Sequence, residues 1–257
     1  MDVNTVNTST GGRLDRREVQ RQRTLAEIRD TARQQLAVTG AAGLSLRAVA
    51  RGMGLTAPAL YRYYDDRDAL LSALIVDAFT GLTAALEAAR DSQPEPEPGR
   101  RLAAMCLVYR DWALAHPHEF ALVFGTPVPG FAAPEDGPTA EAGARFGGVF
   151  QTEFARVWDT TRFALPERGR SAALDRELTL AGQECGPPLP AGAMQVFLSS
   201  WGRLHGLISL ELFGQLSWVG LADAGALFRA DLLEIMCEVG VEVDAGELRK
   251  IGRRAAG

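Results

Sequence analysis

The stretch from Leu44 to Arg67 constrains the fold more than any other part of the sequence, because it holds two very short helical patterns joined at a glycine. The first pattern follows Ser45, an expected N-cap, and its apolar face ends near Gly52. Gly54 supplies the backbone freedom that a tight turn needs, and Leu55 is expected to point inward. Neither helix is stable alone at this length, so both must pack on neighbouring elements.

The second short pattern runs from Ala57 to Tyr63 behind Thr56, a second expected N-cap. Pro58 lies in its first turn, where no intrahelical partner is expected for the missing N–H. Two short helices joined in this way form a helix-turn-helix. A first helix from about Gln22 to Thr39 has apolar residues at helical spacing and should cover them, which completes a three-helix head over residues 21–66.

The head contains four motifs in order: Leu-Ser-Leu-Arg-Ala-Val-Ala, Gly-Met-Gly-Leu-Thr, Ala-Leu-Tyr-Arg-Tyr-Tyr and Asp-Asp-Arg-Asp-Ala-Leu-Leu. In this order they resemble the DNA-binding signature of the tetracycline-repressor (TetR) family of bacterial regulators. The resemblance extends over about residues 21–74. It implies that the second short helix enters the major groove of DNA.

A helix-turn-helix that reads DNA needs polar groups for the phosphates and a few protruding side chains for the base edges. The residues suited to phosphate contact are Ser45, Arg47, Thr56, Tyr61, Tyr63 and Arg67, and those suited to base contact are Ala57, Pro58, Ala59 and Arg62. Arg62 is the best candidate for a bidentate contact with guanine. Leu60 and Tyr64 are expected in the core of the head, and Tyr61 is suited to both core packing and phosphate contact.

The net charge of −5 is unevenly distributed along the chain. Residues 1–74 carry eleven arginines and eight acidic residues, a net charge of +3, whereas the rest carries sixteen basic and twenty-four acidic residues, a net charge of −8. The basic end is therefore the end with the DNA-binding motifs. Residues 1–20 are predicted to form a disordered basic arm, whose arginines either touch the DNA backbone or belong to a solvated surface.

Residues 67–257 are expected to form an all-α effector-binding and dimerisation domain, because no strand-like alternation of useful length appears. Asp66 offers an N-cap for a long helix that continues to about Arg90 and would couple this domain to the head. Further helices are expected at about 101–116, 117–125, 141–163, 171–181, 191–216 and 220–239, with a surface loop at 126–139. The last two of these helices are so apolar that a second copy of the chain should bury one face.

The second half carries Trp201-Gly-Arg-Leu-His-Gly206, which resembles the Trp-x-x-x-His-Gly signature of one class of C-terminal domain in the same family. The segment at residues 116–125 is similar to one found upstream in that class. Effector cavities are mostly apolar, and the candidate lining residues are Tyr109, Trp112, Phe120, Phe124, Phe146, Phe150, Phe154, Trp201 and His205. The same aromatic rings are equally suited to an ordinary core. For His205, we favour core packing or a hydrogen bond between helices over contact with an effector.

Nothing in the sequence indicates a catalytic, metal or cofactor site, since it has no G-x-S-x-G, Walker loop, H-E-x-x-H or strand-linked G-x-G-x-x-G motif. Cys106, Cys185 and Cys237 lack ligand spacing, so we expect neither zinc nor disulfides and assign them mostly to core packing. No segment is expected to be apolar enough to cross a membrane, and the polar start of the chain lacks a signal peptide. We therefore expect a cytoplasmic protein.

The sequence thus predicts a dimeric repressor that binds a palindromic DNA operator and is released by a small apolar effector. Its dimer interface would use the last two large helices. Two alternatives remain open: an activator or effector-independent DNA-binding dimer of the same fold, and an all-α small-molecule enzyme or storage module with a vestigial head.

Overall fold

The computed structural model describes residues 16–255, and within them the chain is all-α, as the sequence predicts. The helices are α1 (Arg16–Thr39), α2 (Leu46–Gly52), α3 (Ala57–Leu60), α4 (Arg67–Asp91), α5 (Pro98–Ala115), α6 (Pro117–Phe124), α7 (Pro138–Thr161), α8 (Ala172–Glu184), α9 (Ala191–Leu212), α10 (Ala224–Glu238) and α11 (Ala245–Ala255). The chain divides into two compact units, Met1–Leu71 and Ser72–Gly257, which we call the head and the body. The domain boundary expected after residue 66 stays a prediction.

The head is a three-helix unit with an apolar core. Its buried side chains come from all three helices and include Leu25, Ile28, Ala32, Leu36, Leu46, Val49, Ala50 and Leu60. Tyr64 is also buried, as predicted, and its hydroxyl accepts a hydrogen bond of 2.9 Å from Arg29 Nε. Full burial of a Leu or Ile side chain contributes about 1.5–3 kcal/mol. This packing stabilises α2 and α3, which are too short to persist alone.

The first helix begins at Arg16, six residues earlier than the predicted start at Gln22. Residues 16–20 are therefore helical, and the prediction of a disordered arm is wrong for them. A side-chain pair one turn apart supports the extension, because Gln22 Nε2 donates to Glu18 Oε1 at 2.7 Å. The rest of the predicted arm, residues 1–15, lies outside the described residues.

The helix-turn-helix itself differs from the prediction at two points. The second helix, α3, ends at Leu60 rather than Tyr63, and turn hydrogen bonds such as Tyr63 N–H to Leu60 O at 2.9 Å follow it. Leu55 is 37% exposed and does not point inward. The turn is closed instead by the backbone, with Gly54 at a φ of +68° and Leu55 N–H donating to Ala50 O at 2.8 Å.

The body is built around α5, which packs against α6, α7, α9, α10 and α11. Residues of α5 are buried over most of its length, including Leu102, Met105, Cys106 and Tyr109. The α9 helix also packs against α8 and α10. This arrangement places the side chains of α5 at the centre of the body.

A buried ion pair ties α5 to α7. Arg101 is 7% exposed and Glu153 is 0% exposed, and Arg101 Nε donates to Glu153 Oε1 at 3.1 Å. Arg101 Nη2 also donates to Asp91 at the end of α4, at 3.2 Å. Burial raises the pKa of Glu153, and the positive charge of Arg101 opposes that rise. The pair therefore depends on both partners being present.

The long helix α4 begins as predicted, because Asp66 Oδ1 accepts a hydrogen bond of 2.7 Å from Ala69 N–H. By length and composition this helix passes the test for a membrane-crossing segment, although Asp77 interrupts its apolar residues and leaves no run of about twenty of them. Within its most apolar window, 44% of the residues are buried inside the protein. The core helix of a globular protein passes the same test, and the buried residues Leu82 and Leu86 belong to the core of the body.

The two large helices near the end of the chain are shorter than predicted. The α9 helix ends at Leu212 and α10 begins at Ala224, because Gly214 and Gly220 adopt positive φ values of +67° and +64° between them. Asp223 then caps α10 by accepting from Ala226 N–H at 2.9 Å.

The sequence prediction does not include α11, although its signal is present. Asp244 and Glu247 form a reciprocal capping box, with Glu247 N–H donating to Asp244 Oδ1 at 2.8 Å and Asp244 N–H donating to Glu247 Oε2 at 3.3 Å. Leu248 and Ile251 are buried, and the helix packs against α5. The motif Asp-x-x-Glu, followed by two apolar residues three positions apart, therefore predicts the start of this helix.

Candidate DNA-binding surface and effector cavity

The exposed side of α2 and α3 carries most of the predicted DNA contacts, with Arg47, Thr56, Pro58, Tyr61 and Arg62 all exposed. Tyr61 is 44% exposed, which leaves its hydroxyl accessible. Ala57, Ala59 and Tyr63 are half-buried beside them. The predicted residues are thus gathered on and around the two short helices α2 and α3.

The two predicted N-cap residues lie at the right positions but do not act as predicted. Ser45 and Thr56 have extended backbones at the starts of α2 and α3, yet neither side chain makes a capping hydrogen bond. The Ser45 N–H instead donates to Gln35 Oε1 at 3.2 Å. Because the caps do not use them, both hydroxyls are left for other partners such as phosphate oxygens.

Arg67 does not have the exposed position expected of a phosphate contact. Its Nε donates to Leu44 O at 3.2 Å and its Nη2 donates to Ala41 O at 2.9 Å. The guanidinium therefore binds the backbone between α1 and α2. Its assignment to the DNA-contact set is corrected, and we treat Arg67 as a structural residue of the head.

The first turns of α1 lie beside the end of α3. Together they line one open groove, whose residues are Arg16, Arg17, Gln20, Arg21, Arg62 and Tyr63. Within residues 16–255, neither Arg47 nor Arg62 has an ion-pair partner. Because four arginines line it, the groove concentrates positive charge next to the exposed side of the helix-turn-helix, as a DNA-binding surface requires.

In the body, Tyr109 is the centre of an aromatic cluster. Its ring centroid lies between 5.9 and 6.3 Å from those of Phe120, Phe124, Phe146 and Phe150. Phe79 of α4 joins the cluster, since its ring centroid is 5.8 Å from both Phe124 and Phe146. The cluster therefore reaches from α5 to the long helix.

The Tyr109 hydroxyl lies 2.7 Å from His205 Nδ1. Burial raises the pKa of Tyr109, a hydrogen bond from Trp201 opposes that rise, and burial lowers the pKa of His205. These directions keep the Tyr109 hydroxyl protonated and favour the neutral imidazole of His205, so one hydrogen bond between neutral groups joins α5 to α9. Trp201 and His205 stack at 4.8 Å one helical turn apart. The Trp-x-x-x-His spacing thus places two side chains against one tyrosine.

Two neighbouring cavities lie beside this cluster. The inner one, of about 30 Å³, is lined by Leu102, Cys106, Tyr109, Phe150, Phe154, Phe197, Ser200, Trp201, Leu204, Ile235 and Met236. The outer cleft, of about 280 Å³, is lined by Phe146, Gly147, Phe150, Gln151, Ala181, Cys185, Met194, Phe197, Leu198 and Trp201. Phe150, Phe197 and Trp201 line both. Burial raises the pKa of Cys106 to about 12, so its thiol stays neutral and neither lining carries a charge.

In comparison with known proteins, the head and the body each match a domain of the same protein family. Residues 28–74 match the family described as bacterial regulatory proteins of the tetR family, and residues 102–235 match the family described as the tetracyclin repressor-like C-terminal domain. The chain belongs to the TetR family. It is therefore a transcriptional regulator with a DNA-binding helix-turn-helix, and not an enzyme.

Relatives along most of the chain are regulators as well. The HTH-type transcriptional regulators Rv1816 of Mycobacterium tuberculosis and Mb1846 of Mycobacterium bovis are each 35% identical over 218 residues, which cover 85% of this chain and 93% of theirs. The crystal structure of the regulatory protein SCO4313 is similar with a TM-score of 0.70 and 38% identity, over 86% of this chain and 98% of that one. TetR-family regulators typically act as dimers that respond to small molecules.

The cavities divide the predicted effector residues of this TetR-family body into two groups. Tyr109, Phe146, Phe150, Phe154 and Trp201 line one or both cavities, whereas Trp112, Phe120, Phe124 and His205 line neither. The Trp112 ring contacts His116, with centroids 4.9 Å apart. His205 makes the bond between helices that the sequence favoured over effector contact.

The predicted effector residues omit Phe197 and all the aliphatic, sulfur-containing and small residues of the two linings. Helical spacing held a signal for some of them, since Phe197, Ser200 and Leu204 share one face of α9 with Trp201. The cysteines also differ from expectation. Cys106 is buried, but Cys185 and Cys237 are exposed, so core packing describes only the first.

Proposed function

We propose that this TetR-family protein is a cytoplasmic, dimeric repressor of a palindromic operator, released from DNA by a small apolar effector. The observation that carries the proposal is the uncharged cavity in the body of a chain whose head is a DNA-binding helix-turn-helix. A ligand shifts such a protein between two states only through differential affinity for them. An internal cavity whose walls move supplies that difference.

On DNA, α3 would enter the major groove and Arg62 would contact a guanine, with Ala57, Pro58 and Ala59 close to the base edges. Phosphate contacts would come from Ser45, Arg47, Thr56, Tyr61 and Tyr63. The exposed arginines at the start of α1 would extend this contact along the backbone, since they line the same groove as Arg62.

The dimer would form through α9 and α10. Both helices expose apolar side chains, with Leu198 and Leu227 each 40% exposed. On α9, Gly202 and Gly206 lie one turn apart, and a Cβ added at either would meet no atom within 4 Å. Such small residues allow two helices to approach closely, and a two-fold axis here would present two heads to a palindromic site.

The switch would act through α4, which belongs to both units. In the body, Phe79 of α4 contacts Phe124 and Phe146, and these rings surround Tyr109 beside the cavity. An effector that moves the cavity wall would therefore repack the rings against α4. We expect this to change how the two heads are spaced on adjacent major grooves.

A gel-shift titration against the promoter region of the protein's own gene tests the repressor proposal. We expect one fragment to compete far better than random DNA, by roughly 10³-fold or more, with affinity that falls steeply as salt rises. If no fragment competes better than random DNA, operator recognition fails. Sedimentation at micromolar concentration tests the dimer, because a species of only 27.6 kDa would exclude it.

A further inference from the structure

The outer cleft is the larger of the two cavities and opens between α7, α8 and α9. Its volume of about 280 Å³ is close to the ~300 Å³ lower end of cavities that bind small organic ligands. The inner cavity of about 30 Å³ is too small for more than a substituent of such a ligand. The body of the ligand therefore belongs in the outer cleft.

The cleft has no group that would balance a charge. None of its lining residues is ionised, and its carboxamide, Gln151, is buried and already engaged. Gln151 Nε2 donates to Gly182 O at 2.7 Å and to Pro187 O at 3.0 Å. An ionised ligand would lose its hydration here without gaining a partner, which strongly disfavours its binding.

Aromatic rings form the wall between the cleft and the inner cavity. Phe150 and Phe197 contribute to both linings, and Trp201, at 36% exposure, is the shared ring that reaches the surface. Within the wall, Phe146 and Phe150 meet edge to face with centroids 5.7 Å apart. Rings favour edge-to-face and offset contacts with another ring, so this wall suits a planar ligand.

We infer that the outer cleft binds an uncharged, ring-containing molecule that contacts Trp201, and that it rejects the carboxylate of the same ring system. This inference rests on the proposed function, because it names the class of effector that the proposed release from DNA would require. Binding itself is measurable on the protein alone, without DNA.

The test uses 2-naphthol as the neutral probe and 2-naphthoate as its charged counterpart. Each is titrated into the full chain at neutral pH, with tryptophan fluorescence and thermal denaturation as the readouts. We expect 2-naphthol to bind with a Kd below about 1 mM and 2-naphthoate to bind at least about tenfold more weakly. Failure of 2-naphthol to bind, or equal binding of the two probes, overturns the inference.

Two pairs of variants locate the binding site. Gly147 lines the cleft and a Cβ there would meet no atom within 4 Å, so the backbone accepts a side chain at this position and Gly147→Leu takes up space at the cleft. Gly81→Leu is the matched control, because Gly81 is a helical glycine with equally open surroundings that lines neither cavity. We expect Gly147→Leu to weaken 2-naphthol binding at least about tenfold and Gly81→Leu to leave it unchanged.

The second pair is Trp201→Phe and Trp218→Phe. Trp201 lines the cleft, whereas Trp218 is 83% exposed and lines neither cavity. The fluorescence response should disappear in Trp201→Phe and persist in Trp218→Phe. Unchanged binding to Gly147→Leu, or an unchanged response in Trp201→Phe, would place the ligand elsewhere and overturn the inference.

A separate titration on operator DNA distinguishes this inference from the proposed function. If 2-naphthol binds the cleft by these criteria but does not release DNA, the ligand class stands and the proposed release fails. If DNA is released while Gly147→Leu still binds 2-naphthol normally, release is real and the cleft is not its site.

Discussion

The head and the body use arginine differently. In the head, Arg47 and Arg62 are exposed and have no ion-pair partner among residues 16–255. In the body, Arg101, Arg110 and Arg203 each form ion pairs with carboxylates on other helices. Arg110 forms a bidentate pair with Glu211 of α9, and Arg203 reaches Asp231 and Glu238 of α10. Arginine thus has two uses in one chain. These three arginines of the body neutralise carboxylates between helices, whereas Arg47 and Arg62 of the head stay available for a polyanion.

The largest expected effect comes from the buried pair of the body. Arg101→Met should lower the free energy of unfolding by about 3–5 kcal/mol, because buried Glu153 loses its hydrogen-bonded cation and keeps the longer pair with Arg156, whose Nη1 lies 3.5 Å from Glu153 Oε2. Denaturant titration measures the loss. The double variant Arg101→Met/Glu153→Leu should regain most of it, and a double variant no more stable than Arg101→Met would show that packing, not charge, is responsible.

The same variant should have an unusual pH dependence. Burial raises the folded-state pKa of Glu153 above its ordinary value, so the stability that this group contributes is present below the unfolded-state pKa and is lost as pH rises through the folded pKa. Without Arg101 the pKa rises further. The stability deficit of Arg101→Met should therefore shrink as pH falls from about 8 to about 5. A constant deficit over this range would show that loss of the Arg101 charge beside the buried carboxylate is not the cause.

Arg67 sharpens the comparison, because it lies in the head but is used as the arginines of the body are. Arg67→Ala should lower the stability of the head by about 1–3 kcal/mol, since Leu44 O and Ala41 O lose their charged donor. Thermal denaturation measures this effect. Base preference on DNA should be unchanged, and an altered preference would return Arg67 to the DNA contacts.

Arg62→Ala should have the opposite outcome. It should lose about 1–3 kcal/mol of discrimination at one base position and leave thermal stability unchanged, because Arg62 is exposed and unpaired. Competition with operator variants measures the discrimination. Equal weakening on every DNA sequence would instead identify Arg62 as a phosphate contact.

The smallest effect is expected for a more exposed pair of the body. The Arg203 side chain is 37% exposed, so Arg203→Met should cost no more than about 1 kcal/mol despite its two carboxylate partners. The same denaturant titration compares it with Arg101→Met. A loss as large as that of Arg101→Met would show that burial does not govern the strength of these pairs.

Much of the head was predictable because its constraints are local. Gly54 closes a turn, Asp66 caps α4, and Leu60 and Tyr64 lie in the core, all as the motif spacing indicates. The length of α3, the position of Leu55 and the role of Arg67 were not predictable. The end of α3 and the position of Leu55 depend on turn hydrogen bonds, and the role of Arg67 depends on carbonyls more than twenty residues away, neither of which periodicity reports.

Prediction in the body was limited by a different cause. Helical spacing identifies which aromatic residues face the interior of the body. It does not identify which of these residues line a cavity and which are fully packed. Phe120 and Phe150 look alike in the sequence, yet only Phe150 lines the cavities. Only packing separates them, because a cavity is a property of several helices together.

By itself, the sequence determined the helical class, the helix-turn-helix and the separation of a basic head from an acidic body, since these follow from local spacing and composition. The tertiary structure alone decided which arginines are consumed and which rings border a cavity. Both outcomes depend on side chains far apart in the chain, such as Arg101 with Glu153 and Tyr109 with His205. Partners at that separation are chosen by packing and desolvation, which act only once the chain has folded.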